Sequence, residues 1–174
     1  MAIYLFTDFG TADIYTGQLK AVLQQHAPDV PLVDLLHEAP AFNIRASAHL
    51  LAALAPRIPS GSAVLAVVDP GVGSDRGAVA VRANGCWFVG PDNGLLSVCA
   101  ARSVSPEYFS IDWLPQQLSA SFHGRDLFAP VVARLACGEG ISQMGKTVTH
   151  LNVELGAGDL LPFQTPGRSF DQHG

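Results

Sequence analysis

A wholly apolar run, residues 63–68, ends abruptly in the polar turn Asp69-Pro70-Gly71-Val72-Gly73. A strand that is apolar on both faces is typical of a parallel sheet covered by helices on both sides. Pro70 cannot donate to a sheet ladder, and Gly71 and Gly73 permit backbone conformations that other residues avoid. We therefore expect this turn at the carboxyl edge of a sheet, where open α/β folds bind their ligands.

The residues before this run alternate between strand and helix patterns. Strands are predicted at 2–7, 32–36 and 63–68, with helices from Asp13 to His26 and from Asn43 to Ala55. The order βαβαβ predicts an α/β domain with a mostly parallel central sheet and crossover helices on both faces.

The pattern changes after Arg76. Two strands, 78–82 and 86–89, flank Asn84-Gly85, which is a strong hairpin signal. A short helix from Leu95, a strand at 108–111 and a helix that ends near Gly138 follow. We expect one α/β catalytic domain over residues 1–155 and a linker over 156–174 that leads toward a missing C-terminal domain.

Composition and charge exclude several classes of protein. The 174 residues are 48% hydrophobic and carry a net charge of -5, which argues against a nucleic-acid partner. No apolar run approaches the roughly 18 residues that span a bilayer, and the N-terminus does not resemble a signal peptide. Cys86, Cys99 and Cys137 lack CxxC spacing, which predicts buried free thiols in a cytoplasmic protein without membrane contact.

Four polar turns are candidates for one site at the sheet edge. They are Asp8 to Asp13, Asp69 to Arg76, Asp92-Asn93-Gly94 and His123 to Asp126. A single Asp-Pro-Gly turn is more often structural than functional, but the convergence of four turns on one edge favours a ligand site.

The residue types in these turns suggest how a small nucleophile could be handled. A carboxylate accepts a proton, an arginine stabilises an anion without titrating, and a histidine exchanges a proton near neutral pH. Asp69, Arg76 and His123 supply these groups. His123 could equally be a structural histidine at a helix start. A metal site that includes His37 is weaker, because no HxH or HExxH spacing is present.

The glycine spacing also argues against a dinucleotide-binding loop. The glycines after Asp69 are spaced G-x-G-x-x-x-G, and a predicted strand follows them where a Rossmann loop requires a helix.

Four ordered motifs carry a resemblance that extends over nearly the whole chain. They are Thr7-Asp8-Phe9-Gly10, Val68-Asp69-Pro70-Gly71-Val72-Gly73, Pro91-Asp92-Asn93-Gly94-Leu95-Leu96 and Phe122-His123-Gly124-Arg125-Asp126. In this order they resemble the S-adenosyl-L-methionine (SAM) hydroxide adenosyltransferase family, which is related to the fluorinases and chlorinases. The resemblance implies hydrolysis of SAM to adenosine and L-methionine by hydroxide attack at ribose C5′, with no cofactor or metal.

The resemblance also implies roles for individual residues. Asp69, Arg76 and His123 match the family's water-activating set, and the aspartate and histidine favour hydroxide over halide. The implied substrate-binding residues are Asp8 at the ribose hydroxyls, Phe42 near the ligand, Asp13 toward the methionine end, Asn93 and Ser121.

The family pattern extends beyond this chain. The resemblance implies a further C-terminal β-barrel domain, which we expect to be absent here, and a homotrimer in which that barrel covers the neighbouring subunit's site. A non-catalytic nucleoside-binding or trimer-forming domain is therefore an alternative to the enzyme. A metal-dependent hydrolase is a weaker one.

Overall fold

The computed structural model describes residues 1–155, which form one mixed sheet with helices on both faces. The seven strands of the described part lie in the order β2-β1-β3-β5-β4-β6-β7. They are β1 (Ile3–Thr7), β2 (Leu32–Leu36), β3 (Ala63–Val67), β4 (Ala78–Ala83), β5 (Cys86–Pro91), β6 (Glu107–Ile111) and β7 (Gly145–Val148).

Four α-helices connect these strands. They are α1 (Ile14–His26), α2 (Ile44–Leu54), α3 (Ser97–Ala101) and α4 (Ala129–Ala136). The 3-10 turns Ala55–Arg57 and Ile141–Gln143 and a π-helical turn, Gly124–Phe128, complete the regular structure of the described residues. The Asn43 side chain accepts a hydrogen bond from the Ala46 amide and so caps α2 as its residue type predicts.

The two faces of the sheet bury separate apolar clusters. Helices α1 and α4 pack together on one face, where Leu19 and Phe128 are fully buried. Helices α2 and α3 cover the other face, where Leu51 and Leu95 are fully buried. Strand β3 is buried at every position, which confirms its central place between the two layers.

The prediction of a mostly parallel sheet is only half right. Strands β2, β1, β3 and β5 are parallel, but β4, β6 and β7 join through antiparallel pairings. The Asn84-Gly85 hairpin causes this change from parallel to antiparallel pairing. Both residues have the positive φ that a tight hairpin turn needs, and the returning strand β5 inserts beside β3.

Three further details differ from the sequence-based expectations. Strand β7 was not predicted, and Cys137 is exposed while Cys86 and Cys99 are buried. Gly71 does not have a positive φ, whereas Gly73 does. The proposed linker 156–174 lies outside the described residues, and no helix within 1–155 is long and apolar enough to cross a bilayer.

Candidate active site

The strand directions bring the predicted turns to one edge of the sheet. Strands β1, β3 and β5 are parallel, so the residues after Thr7, Val67 and Pro91 emerge on the same side. Strand β4 runs in the opposite direction, and its first residue, Ala78, pairs with Pro91 at that edge. The segment before β4 therefore returns Arg76 to the place where β3 ends.

A buried ion pair lies at the centre of this edge. The Arg76 Nε donates to both carboxylate oxygens of Asp69, at 3.0 and 2.9 Å, and its Nη2 donates to Asp69 Oδ2. The side chains are only 9% and 5% exposed, respectively. The Arg76 guanidinium also lies 5.1 Å from the centre of the Phe128 ring. These contacts hold the carboxylate in one orientation, since a bidentate arginine fixes geometry as well as charge.

His123 completes the predicted set. Its Nδ1 lies 2.9 Å from Arg76 Nη2, and because a guanidinium can only donate, Nδ1 is the acceptor. The neutral ring therefore carries its proton on Nε2. The π-helical turn Gly124–Phe128 begins directly after His123, and such turns are frequent at functional sites.

The environment of His123 favours its neutral form. Burial lowers the pKa of the imidazole below its ordinary value of 6.5, and the neighbouring Arg76 cation lowers it further. The Asp69 and Asp126 carboxylates act in the opposite direction but do not compensate. At neutral pH the ring is a hydrogen-bond acceptor at Nδ1 and a donor at Nε2.

This arrangement predicts a pH profile. Protonation of His123 would place a second cation against Arg76. Because the pKa of His123 is below 6.5, we expect enzymatic activity to be lost only as pH falls below 6.5. The contribution of His123 to the free energy of unfolding is full above pH 6.5 and declines as pH falls toward the lower pKa of the folded state, because the unfolded chain then binds the proton more readily. A plot of kcat/KM against pH tests this expectation. An acid limb at or above 6.5 would contradict it.

A cavity of about 330 Å³ opens beside the ion pair, within the size range of small-molecule sites. Four of the predicted substrate-binding residues line it, together with Asp69. The complete lining is Asp8, Phe9, Asp13, Tyr15, Leu19, Phe42, Val67, Asp69, Val72, Ser121, Phe122, Gly124 and Arg125.

Aromatic rings form one wall of the cavity. The Tyr15 ring lies 4.5 Å from that of Phe122 and 6.4 Å from that of Phe9, measured between ring centres. The Arg125 guanidinium covers Phe122 at 4.7 Å. It also donates to both carboxylate oxygens of Asp126. This wall offers flat apolar surfaces on which a nucleobase or another planar group could stack.

Two loops form another part of the lining and are joined by hydrogen bonds. The Phe42 amide donates to Asp8 Oδ2 at 3.2 Å, and the Thr11 amide donates to Glu38 Oε1 at 2.9 Å. Phe42 has a φ of 58°, which is uncommon for a bulky residue, and the residue is 76% exposed. The Asp8 contact thus holds Phe42 in a sparsely populated backbone conformation beside the cavity.

The charge of the cavity is negative. Asp69 is neutralised by Arg76, and Arg125 is neutralised by Asp126. Asp8 and Asp13 also line the cavity and add two further carboxylates to it. An excess of carboxylates in a partly enclosed site favours a ligand that carries positive charge.

The turn after Asp69 packs against the loop before His123. Gly73 has a φ of 81°, and a Cβ added there would lie 2.9 Å from the Ala120 carbonyl oxygen. Only glycine satisfies both restrictions without a shift of the backbone. This close approach places Ser121 in the cavity lining next to the turn that carries Asp69.

Comparison with known proteins identifies the relatives of this chain. The family description "SAM hydroxide adenosyltransferase N-terminal domain" matches residues 3–145. The chain belongs to this family. A Salinispora arenicola protein named (R)-S-adenosyl-L-methionine hydrolase is 42% identical over 146 residues, which cover 82% of this chain and 56% of the relative.

More distant similarity extends to a halogenating enzyme and a solved structure. A fluorinase from Actinopolyspora mzabensis is 25% identical over 170 residues, covering 83% of this chain and 57% of the fluorinase. The crystal structure of an uncharacterised conserved protein from Thermotoga maritima has a TM-score of 0.83 at 35% identity, covering 87% and 60% of the two chains. The chain spans a little over half the length of the curated relatives that it matches.

Asn93 and Asp92 do not line the cavity of this SAM hydroxide adenosyltransferase domain. The Asn93 amide donates to the Val68 carbonyl at 2.9 Å and accepts from the Leu95 amide, and Asn93 is not part of the cavity lining. Buried Asp92 accepts hydrogen bonds from the backbone and side chain of Asn152. The Asp92-Asn93-Gly94 turn therefore supports the end of the strand that leads to Asp69 and fixes the chain after β7.

Several lining residues of the domain were missed by sequence reasoning. Tyr15 lies in the first turn of α1 and is 38% exposed at the cavity. Phe122 and Arg125 lie inside a motif that already contained His123, and Phe9 follows Asp8 directly. Their place beside predicted site residues was the signal that could have identified them.

No group of three or more histidine, cysteine, aspartate or glutamate side chains within residues 1–155 is arranged to hold a metal ion. His37, which we considered as a ligand, instead binds Thr7 and Asp34.

Proposed function

We propose that the protein hydrolyses SAM to adenosine and L-methionine, with water or hydroxide attacking ribose C5′. One observation carries the proposal most directly: Asp69 lines a negatively charged cavity with an aromatic wall, and Arg76 binds both Asp69 and His123, although Arg76 and His123 are not themselves lining residues. Membership of the SAM hydroxide adenosyltransferase family and 42% identity to a named SAM hydrolase support the same substrate.

The reaction needs little acid catalysis. A C5′–O bond forms while the C5′–S bond breaks, and the electron pair of that bond goes to the sulfonium sulfur. Methionine leaves as a neutral thioether, so its sulfur needs no proton. One proton is released from the attacking water and must pass to a base or to solvent. The protein's task is to hold the nucleophile in line with C5′ and to accept that proton.

The three residues divide this task according to their geometry. Asp69 accepts a hydrogen bond from the attacking water and receives its proton. Arg76 fixes the carboxylate and stabilises the negative charge that develops on the nucleophile. His123 donates from Nε2 to the water oxygen, because its Nδ1 is already occupied by Arg76.

Substrate binding is proposed for the remaining predicted residues. Asp8 would accept hydrogen bonds from the ribose hydroxyls, and Phe42 would pack against the ligand beside it. Asp13 would lie toward the methionine end, where it also caps α1 by accepting from the Tyr15 amide. Ser121 would donate to the substrate from the opposite loop, while Asn93 would act indirectly through the strand end that it holds.

The charge of the cavity supports SAM over a neutral nucleoside. SAM carries a sulfonium cation that is lost on hydrolysis, so the Asp8 and Asp13 carboxylates in the cavity lining attract the substrate more strongly than either product. We propose that no cofactor takes part and that the reaction occurs in the cytoplasm.

We further propose that the active assembly is a homotrimer in which a neighbouring subunit covers the cavity. Exposed apolar residues support this arrangement: Phe42 and Val72 line the cavity and are 76% and 38% exposed, and Ile14, between Asp13 and Tyr15 of the lining, is 69% exposed. Closing the cavity would exclude bulk water and strengthen the electrostatic effects of the site.

The direct test is incubation of the full-length protein with SAM, followed by chromatography of the products. We expect adenosine and methionine in equal amounts, with an unchanged rate after exhaustive chelation. Binding of adenosine without any turnover would instead support the non-catalytic alternative, and loss of activity on chelation would support a metal-dependent hydrolase. Replacing chloride with a non-halide anion should not slow adenosine formation, because hydroxide is the proposed nucleophile.

A further inference from the structure

A chain of hydrogen bonds runs from the surface to the end of β1, directly before Asp8 of the cavity lining. Lys20 Nζ donates to Asp34 Oδ2 at 2.7 Å, and His37 Nε2 lies 3.0 Å from Asp34 Oδ1. His37 Nδ1 lies 2.8 Å from Thr7 Oγ1. His37 is 3% exposed and Thr7 is fully buried, so these groups cannot contact substrate.

The direction of each hydrogen bond follows from the groups involved. Burial alone would raise the pKa of Asp34, but the hydrogen bonds from Lys20 and His37 bring it below its ordinary value, so this carboxylate is an acceptor. His37 therefore donates from Nε2 and, when neutral, accepts at Nδ1 from the Thr7 hydroxyl. The Thr7 oxygen keeps a free lone pair.

That lone pair connects the chain of hydrogen bonds to the loop that carries Asp8. The Phe9 amide points to Thr7 Oγ1 at 3.4 Å, and the Gly10 amide donates to the His37 carbonyl at 2.7 Å. The Ala39 amide donates to the Thr7 carbonyl at 3.0 Å. Thr7 and His37 thus bind the loop on both sides of Asp8, through side chains as well as backbone.

We propose that Thr7 and His37 are positioning residues, which hold the Asp8 carboxylate in the orientation that binds substrate. A buried histidine with two directed partners fixes the hydroxyl beneath the loop, and a hydrogen bond removed there leaves Asp8 free to turn away from the cavity. This inference rests on the proposed function, because it assigns Asp8 to substrate binding in SAM hydrolysis.

The test compares Thr7→Val with Thr7→Ser in the full-length protein. Valine has nearly the shape of threonine but lacks the hydroxyl, whereas serine keeps it. A contact that an enzyme makes equally with substrate and transition state affects KM alone, and we assign the Asp8 contact to this kind. Thr7→Val should therefore raise KM for SAM by about tenfold with kcat nearly unchanged. Thr7→Ser should stay within about twofold of the original KM, since the hydrogen bond is retained.

A double-mutant cycle shows whether Thr7 acts through Asp8. In an Asp8→Ala background, Thr7→Val should change KM no further, because coupled residues are not additive. Ser97→Ala is the matched control, since it removes a buried hydroxyl that bonds the Gly94 carbonyl outside the cavity, and it should leave KM unchanged. A merely destabilising effect of Thr7→Val would lower kcat through the active fraction and leave KM alone, which would overturn the inference.

Amide hydrogen exchange separates this inference from the proposed function. Thr7→Val should speed exchange at Phe9 and Gly10 in the ligand-free protein, and Ser97→Ala should not. If the unmodified protein does not hydrolyse SAM but Thr7→Val still speeds exchange at Phe9 and Gly10, the proposed function and the substrate role of the loop are refuted. The role of Thr7 in holding the loop is then confirmed. Normal hydrolysis with an unchanged KM and unchanged exchange in Thr7→Val would refute the positioning role alone.

Discussion

Asp69→Asn should lower kcat for SAM hydrolysis by about 10³-fold, within the range that a positioned proton acceptor contributes. Asparagine preserves the size of the side chain and one oxygen acceptor, but it cannot take a proton from the attacking water. It also leaves the buried Arg76 guanidinium without its anionic partner, so we expect the free energy of unfolding to fall by about 3 kcal/mol. Steady-state kinetics and denaturant unfolding measure the two effects separately.

A matched control distinguishes this role from a general loss of charge. Asp112 forms an exposed ion pair with Lys146 at 2.8 Å, and Asp112→Asn removes a carboxylate far from the cavity lining. It should leave kcat unchanged and cost at most about 1 kcal/mol of stability, as is usual for surface pairs. Retention of kcat within about tenfold of the original value in Asp69→Asn would mean that this carboxylate is not the proton acceptor.

Arg76→Ala should have the second large effect, because one guanidinium binds both Asp69 and His123. Its removal leaves the Asp69 carboxylate buried without a partner, and such losses cost about 3–5 kcal/mol. We expect kcat to fall by about 10²-fold or more, since the charge that stabilises the nucleophile is lost with the geometry. The pKa of His123 should rise, because Arg76 is one of the causes that lower it.

The histidine titration gives this prediction a readout that does not depend on activity. Nuclear magnetic resonance of the His123 ring should show a higher pKa in Arg76→Ala than in the unmodified protein. Arg82→Ala is the control, because Arg82 is 53% exposed and its contact with Glu107 is 3.9 Å long. An unchanged or lower His123 pKa in Arg76→Ala would show that the guanidinium does not control the ring.

Local sequence signals determined much of the fold. The apolar run of β3, the Asn43 cap of α2 and the Asn84-Gly85 hairpin are each encoded by a few adjacent residues, and all three are confirmed. Strand β7 has no such signal, because it is short, at the sheet edge and without a fully buried residue. The insertion of β5 beside β3 depends on long-range pairing, which local patterns do not reveal.

The site shows the same division between local and long-range information. Motifs predicted that Asp69, Arg76 and His123 converge, and the structure brings them together. The sharing of one guanidinium between the aspartate and the histidine, and the tautomer that this imposes, depend on side-chain positions across 47 residues of sequence. The Thr7–His37 contact likewise joins two strand ends that only the folded sheet places side by side.

Hydrolysis of SAM in water enriched with ¹⁸O tests the central claim most directly. Attack of solvent water or hydroxide on C5′ places one solvent oxygen in the 5′-hydroxyl of adenosine, and none in methionine. We therefore expect mass spectrometry to show labelled adenosine and unlabelled methionine from the full-length protein. Formation of adenosine without the label, or no adenosine at all, would contradict the proposed reaction.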